Sequence, residues 1–276
     1  MATRYSGQNV SIFTVAGVAM VGAGNKFDFT VSAEKADAGL IARLGKHSQP
    51  VKASGKLMVD LNSVNSGSTR SSHMNVLAFT IAGTNRLAIL KSFSISGTFD
   101  KVAQAGVGEK YAKPQVVAKD YQISIELDVT TGVVKAMMDK LTGSDFTGSA
   151  TTVSITLDAA TPVTLTFAMN LNEGTLSSQR YSLQSLQLSF DGADPGAGNY
   201  PASPTGTTSI LEKALNAATT EMAFSFQNAL SADSGGIAAS GYVVFDSFSF
   251  KIADGQLVEE SYGFETYGTI TIAASS

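Results

Sequence analysis

Few side chains in this sequence have both the type and the spacing that catalysis requires. The two histidines, His47 and His73, lie in polar stretches, and no Gly-x-Ser-x-Gly nucleophile motif accompanies them. Residues 106–110 contain glycines and a lysine but lack the Gly-x-x-x-x-Gly-Lys-Ser/Thr spacing of a phosphate-binding loop. Glu259 and Glu260 are adjacent, and adjacent side chains on a strand point to opposite faces, so they form no catalytic pair. We therefore predict that the protein is not an enzyme and uses no metal or cofactor; a hydrolase on a β scaffold is a minor alternative.

The composition of the 276-residue chain indicates a folded protein with a low content of charge. The hydrophobic fraction is 43% and the charged fraction is 15%, whereas soluble proteins average ~25% charged residues. Ordinary hydrophobicity with a net charge of −4 excludes a disordered chain, which combines low hydrophobicity with high net charge. The sequence contains no cysteine, which excludes disulfides, thiolate metal sites and a cysteine nucleophile.

The sequence shows no targeting or membrane-spanning segment. The first residues are polar and lack the apolar segment of a signal peptide. No run reaches the ~20 apolar residues of a membrane-spanning helix. We therefore expect synthesis in the cytoplasm and no membrane binding by this chain.

Charge is distributed unevenly along the chain. Residues 1–100 carry ten basic and five acidic side chains, residues 101–150 carry six of each, and residues 151–276 carry three basic and twelve acidic ones. This asymmetry favours a head-to-tail assembly, in which a basic surface of one copy meets an acidic surface of the next. A surface that repels DNA and an uneven distribution without function are the alternatives.

Alternation of apolar and polar residues predicts a mainly β protein. Clear examples are residues 26–31 and 121–129, where hydrophobic side chains occupy every second position. Residues 33–56, which lie between two predicted strands, are predicted to be a long polar loop.

Two short helices are predicted to flank the strands. Residues 132–141 place apolar side chains on one helical face. Residues 209–217 do the same, and Ser209 with Glu212 forms the capping box that begins a helix. Both apolar faces are typical of helices that pack on a sheet.

The order of elements after each predicted helix is the same: two strands, a glycine turn and a further strand. Four pairs match at one offset: Gly174 with Gly255, Leu176 with Leu257, Tyr181 with Tyr262, and Leu183 with Phe264. The pattern favours an internal duplication. Residues 1–150 then form one β region and residues 151–276 a second one, either separate from the first or joined to it in one compact unit.

The opening of the chain resembles the start of bacteriophage major tail tube proteins. The similar segment is residues 5–31, YSGQNVSIFTVAGVAMVGAGNKFDFTV, which has the order hairpin strand, small-residue turn and strand leading into a long loop. The predicted helix at 132–141 and the strand-like ending through Ile270 are similar too.

The resemblance implies a tail-tube fold: a β-sandwich or barrel with two short flanking helices, whose inner sheets join between subunits into a continuous barrel. It implies a structural virion protein that polymerises into stacked rings, the tail tube through which the genome is ejected. The rings are hexameric, or trimeric if the duplication is real. Tail sheath, baseplate, tail terminator and tape-measure proteins are further expected partners, and DNA is only passing cargo.

Two groups of residues take roles from this resemblance. The loop at 33–56 becomes the contact between rings, and its basic members are Lys35, Arg43, Lys46, Lys52 and Lys56. Acidic residues of the later strands become candidates for a lumen that repels DNA phosphates, namely Glu173, Glu259 and Glu265. The alternative function is another phage or injection-machine β protein, such as a capsid decoration protein, a baseplate ring or a secretion tube subunit.

Overall fold

Strands make up most of the described part of the chain in the computed structural model. The described residues are 12–19, 24–38, 47–62, 76–104, 111, 113–129, 151–157, 162–180, 183–192, 210–217, 221–228, 236–253 and 258–274. The strands are β1 (Ile12–Val15), β2 (Val18–Ala19), β3 (Gly24–Ala38), β4 (His47–Asn62), β5 (Val76–Ile81), β6 (Thr84–Asn85), β7 (Leu90–Gln104), β8 (Lys113–Asp128), β9 (Thr151–Leu157), β10 (Val163–Ser177), β11 (Ser185–Gly192), β12 (Met222–Gln227), β13 (Ile237–Ala253) and β14 (Glu259–Ala274). A 3-10 turn spans Leu87–Ile89 and one α-helix, α1, spans Ile210–Ala217. The prediction of a mainly β fold is confirmed.

Alternating burial explains why these segments are strands. In β8 the side chains of Tyr121, Ile123 and Ile125 are buried, whereas those of Gln122 and Ser124 between them are exposed. A strand places successive side chains on opposite faces, so this sequence buries one apolar face and leaves a polar face in water. The same alternation recurs through β7 and β9.

All fourteen strands of the described chain belong to one antiparallel sheet that branches at β13. One edge of β13 pairs with β14 over most of its length. The other edge is shared, because residues 238–243 pair with β12 and residues 247–253 pair with β7. The branch makes β13 the strand that connects the two halves of the sheet.

The sheet divides at this branch into two units of six strands, and each unit carries one further two-residue strand, β2 beside β1 and β6 beside β5. The first unit has the order β3-β4-β14-β13-β12-β1, and the second has the order β7-β8-β11-β10-β9-β5. Each unit curls until its end strands face each other. The ring centroids of Phe13 and Phe27 lie 4.7 Å apart in the first unit, and those of Phe79 and Phe93 lie 5.7 Å apart in the second. The hydrogen-bonded sheet does not close on itself within the described residues.

The first four strands of each unit repeat one another residue by residue. Adding 66 to the residue numbers of β3 and β4 gives the bounds of β7 and β8. The irregularities of pairing repeat as well. The register of β3 and β4 shifts between Glu34 and Lys35, and that of β7 and β8 shifts between Asp100 and Lys101. A shared offset in both bounds and bulges is strong evidence of duplication, because bulges are specific features of a fold.

The last two strands of each unit repeat too, at an offset of 74. The pairing of β10 with β11 shifts between Leu171 and Glu173, and that of β13 with β14 shifts between Phe245 and Ser247. The second unit therefore repeats the strand order and the bulges of the first, and it lies between β4 and α1 in the chain. The offset that the sequence suggested is wrong, since it aligned exposed Leu183 with buried Phe264.

The turn between the first two strands of each unit is also repeated. Ala16 and Gly17 have φ values of 52° and 77°, and Ala82 and Gly83 have values of 49° and 75°. Two successive positive φ angles are typical of the type I′ turn, which suits a two-residue hairpin. In both turns the alanine N–H donates to a carbonyl of the neighbouring strand at 2.8 Å.

The other predictions on the elements have mixed outcomes. α1 lies within the predicted span 209–217, whereas the predicted helix at 132–141 lies outside the described residues. The prediction of a loop over 33–56 is wrong for much of that range, because β3 continues to Ala38 and β4 begins at His47. Small and charged residues without a hydrophobic alternation resemble a loop in sequence, but the paired backbone makes this segment a long hairpin arm.

Candidate functional site

The described residues contain no cluster of side chains that could hold a metal ion. No group of three or more His, Asp or Glu side chains among them is placed to hold a metal ion. His47 begins β4, and His73 lies outside the described residues. No helix of the described chain is long and apolar enough to cross a bilayer.

Polar side chains line an open cleft of about 250 Å³ beside β14. Glu259 is exposed there and pairs across the strands with Lys251. Glu260 is buried and accepts a hydrogen bond from the Tyr262 hydroxyl at 2.5 Å. The two glutamates lie on opposite faces, so their carboxylates serve separate structural roles.

The two units are joined by strand pairing between β7 and β13, and we call this contact the internal junction. Here β7 residues 92–98 pair antiparallel with β13 residues 247–253. Phe93 on β7 and Phe250 on β13 are buried, with ring centroids 6.3 Å apart. Serines and Thr98 occupy the opposite face of the same strands. The junction therefore has an apolar side within the core and a polar side outside it.

One pair of residues fits closely across the internal junction. Gly97 lies opposite Phe248, and a Cβ added to Gly97 would lie only 2.3 Å from the Phe248 ring. That ring is buried and lies 6.0 Å from the ring of Phe99 and 5.8 Å from the ring of Tyr121. A glycine is required here because the ring occupies the space of its missing side chain.

A charged cluster completes the internal junction, and we call it the latch. The Lys101 ammonium on β7 is within 2.8 Å of the Glu265 carboxylate on β14 and contacts the Asp246 carboxylate on β13. The side chain of Lys101 is 10% exposed, that of Asp246 is 35% exposed and that of Glu265 is 23% exposed. One half-buried cation thus joins the second unit to two strands of the first.

The counterpart of the β7 edge in the first unit is unpaired in the described chain. β3 pairs with β4 on one side, and no described strand pairs with its other side. Residues 26–32 of that side correspond to β7 residues 92–98 at the offset of 66. We call these residues the β3 edge.

The counterpart of the β13 edge in the second unit is unpaired too. β10 pairs with β11 along residues 169–177, but on its other side it pairs with β9 only through residues 163–169. Residues 173–177 of that other side correspond to β13 residues 247–251 at the offset of 74, and no described strand pairs with them there. We call these residues the β10 edge.

Three of the basic residues that were predicted to contact the next ring lie on described strands. Lys35 is a residue of β3 and Lys52 is a residue of β4, and Lys56 is exposed on β4. Arg43 and Lys46 lie outside the described residues. They belong to one hairpin arm and the segment between its strands, rather than to one continuous loop.

The three acidic residues predicted to line a lumen have different environments. Glu173 lies on the β10 edge and Glu259 on β14, and both are exposed. Glu265 is a member of the latch, where the Lys101 ammonium neutralises its charge. All three belong to polar positions of their strands rather than to the core.

Sequence reasoning missed both the internal junction and the latch. The signal of the duplication was present, because Phe13-Thr14-Val15-Ala16-Gly17 and Phe79-Thr80-Ile81-Ala82-Gly83 share one pattern at an offset of 66. An alignment from that pattern places Lys35 and Lys101 at equivalent positions. It does not identify Asp246 and Glu265 as the partners of Lys101, since local sequence patterns do not predict which distant strands pair.

The comparisons with known proteins give no family for this chain. No family model matches the sequence, and no curated protein matches it. Function is therefore inferred from the strand edges and the internal junction.

Proposed function

We propose that the protein is a structural subunit that polymerises into stacked rings and forms the tail tube of a bacteriophage. The observation that carries the proposal is that both edges of the internal junction have counterparts, the β3 edge and the β10 edge, with which no strand of the described residues pairs. These two edges belong to different units, so the contact between them joins one copy to the next in a head-to-tail manner. A repeated head-to-tail contact generates a ring if the rotation closes.

The chemistry of the chain supports a structural role. An exposed strand edge is normally a site of aggregation, and closure into a barrel removes it. In a ring, the sheets of neighbouring copies would continue into one another across every junction. The fold would thereby become the continuous barrel that the sequence resemblance implies, with α1 and the predicted helix at 132–141 as flanking elements.

The polar faces of the strands suit the wall of a channel for DNA. At the internal junction this face carries Ser94, Ser96, Ser249 and the single cation Lys251, and Glu173 lies on the β10 edge at the position of Ser247. Hydroxyls carry no positive charge to attract phosphates, and carboxylates repel them. Double-stranded DNA would pass such a wall as cargo without binding to it.

The duplication sets the expected number of copies. Each chain supplies two units, so three chains supply the six units of the ring that the resemblance implies. The tube would belong to the virion tail, and a sheath, baseplate, terminator and tape-measure protein would be its partners.

Electron microscopy and mass measurement of the purified protein test the proposal. We expect hollow tubes or rings, with a ring mass of three chains or a small multiple. A strictly monomeric protein at concentrations of ~100 μM, far above the range of tight protein contacts, would contradict it. Decoration of a capsid or rings that never stack would instead favour the alternative, another β protein of a phage or injection machine.

A further inference from the structure

We propose that neighbouring copies join by pairing the β3 edge of one copy with the β10 edge of the next, in the register of the internal junction. This inference rests on the proposed function and specifies its interface. The partner is therefore a second copy of this chain, and its contacting surface is predicted residue by residue. The internal junction serves as the template.

The two offsets fix the register. Internally, Ser247 lies opposite Thr98 and Lys251 lies opposite Ser94. Subtracting 74 from the β13 numbers and 66 from the β7 numbers places Glu173 opposite Ser32 and Ser177 opposite Asp28. Those residues are polar, as are all four of their internal counterparts. The match preserves a polar face on one side of the new junction.

The shapes at the centre of the predicted contact are complementary. The internal pair is Gly97 opposite Phe248, in which glycine leaves space for a large partner. The equivalent pair between copies is Val31 opposite Gly174. The large and small residues have exchanged strands, so at this pair one glycine again faces one apolar side chain.

The apolar side of the predicted contact explains two exposed hydrophobic residues. Val31 and Leu176 are each 47% exposed, and both lie on the open edges. In the predicted register Leu176 lies opposite Phe29. The internal counterparts of this pair are Phe250 and Ile95, which lie opposite each other and are each 1% exposed. Pairing of the copies would bury these side chains as the internal junction buries its own.

The latch has a counterpart between copies as well. Lys35 occupies in β3 the backbone position that Lys101 occupies in β7, directly after the same register shift. Asp191 of β11 lies opposite Asn170 of β10, and Glu265 of β14 lies opposite Val244 of β13. Asp191 is therefore the counterpart of Glu265 at the offset of 74. A lysine and an acid are thus retained at both positions.

The third latch position differs. Asn172 lies in the bulge of β10, as Asp246 does in the bulge of β13. The contact between copies would therefore have one carboxylate where the internal latch has two. Complementary charge of this kind fixes register and partner orientation.

Substitutions at the open edges test the inference in the full-length protein. Leu176→Lys places a charge where an apolar partner is expected, and we expect it to raise the protein concentration needed for assembly by about tenfold or more. The matched control is Leu183→Lys. Leu183 is 76% exposed and lies outside the strands, so this variant should assemble like the original protein.

Charge exchange tests the latch between copies. Lys35→Glu and Asp191→Lys should each raise the concentration needed for assembly by about tenfold or more, because like charges then face each other. The double variant restores opposite charges and should recover most of the assembly. Circular dichroism must show the original β content in every variant, so that loss of folding is separated from loss of pairing.

The possible outcomes separate this inference from the proposed function. If the original protein assembles and neither Leu176→Lys nor the charge reversals affect it, the proposed pairing is wrong while a ring-forming role stands. If the double charge variant stays as defective as the single ones, the proposed latch is wrong. A protein that never assembles overturns both.

Discussion

Replacing Lys101 by methionine tests the internal junction most directly. The substitution keeps an unbranched side chain that is one atom shorter and removes its charge. Asp246 and Glu265 then lose the cation that they share. In the original protein the Lys101 ammonium lies 2.8 Å from the Glu265 carboxylate. The strand pairing of β7 with β13 is otherwise unchanged, so the variant isolates the electrostatic part of the contact.

The size of the effect follows from the burial of the three groups. An exposed ion pair contributes ~0.2–1 kcal/mol, whereas removing one member of a buried pair costs ~3–5 kcal/mol. Lys101 is 10% exposed, but Asp246 and Glu265 are 35% and 23% exposed and are partly screened by water. We therefore expect a loss of about 2 kcal/mol in the free energy of unfolding, between the two limits. For a chain of this size the midpoint of thermal unfolding falls by about 4–8 °C.

Urea and thermal unfolding followed by circular dichroism measure this loss at concentrations where the protein is not assembled. The matched control is Lys91→Met, since Lys91 is 38% exposed and its ammonium lies 3.6 Å from both Glu126 and Asp128. The control should lose less than about 1 kcal/mol.

Equal stability losses in Lys101→Met and Lys91→Met would refute the reasoning, because the latch would then contribute no more than a surface ion pair. A smaller change in Lys101→Met than in its control would refute it more strongly. Additional replacement of Asp246 by Asn and of Glu265 by Gln should recover part of the loss, since it removes the two uncompensated charges.

Two further predictions concern the packing around the internal junction and β14. Gly97→Ala should lower the free energy of unfolding by about 1–3 kcal/mol, because the added methyl overlaps the buried Phe248 ring; urea unfolding measures this, and an unchanged midpoint would contradict the close fit. Tyr262→Phe removes a hydrogen-bond donor from buried Glu260 and should cost about 1–3 kcal/mol. The same measurement tests it, with Tyr242→Phe at an exposed position as the control whose stability should not change.

Local patterns in the sequence predict the strands well. Buried Tyr121, Ile123 and Ile125 alternate with polar residues, so β8 is recognisable from its own residues. The helix α1 is recognisable too, because an apolar face and a capping box coincide. These features depend on residues that are close together in the sequence, and the periodicity of hydrophobic residues detects patterns of that kind.

Features that depend on distant segments are not predictable in the same way. The sequence beyond Ala33 resembles a polar loop because small, polar and charged residues follow one another there without a hydrophobic alternation, whereas the backbones of β3 and β4 are paired. The latch brings Lys101 to residues 145 and more positions away. No local pattern encodes such contacts, and the repeated Phe-Thr-Val/Ile-Ala-Gly motif gives only the equivalence of positions, without their partners.

The nesting of one unit inside the other affects how the chain is made. All strands of the second unit have left the ribosome once Gly192 has emerged, whereas the first unit still lacks β12, β13 and β14. Domains tend to fold as soon as their residues are available during synthesis. The second unit would thus fold first. The long hairpin of β3 and β4 would remain without its neighbouring strand β14 until that strand is synthesised. A nascent chain at that stage has a finished β10 but no internal junction, and only the final strands convert it into a subunit whose two ends match.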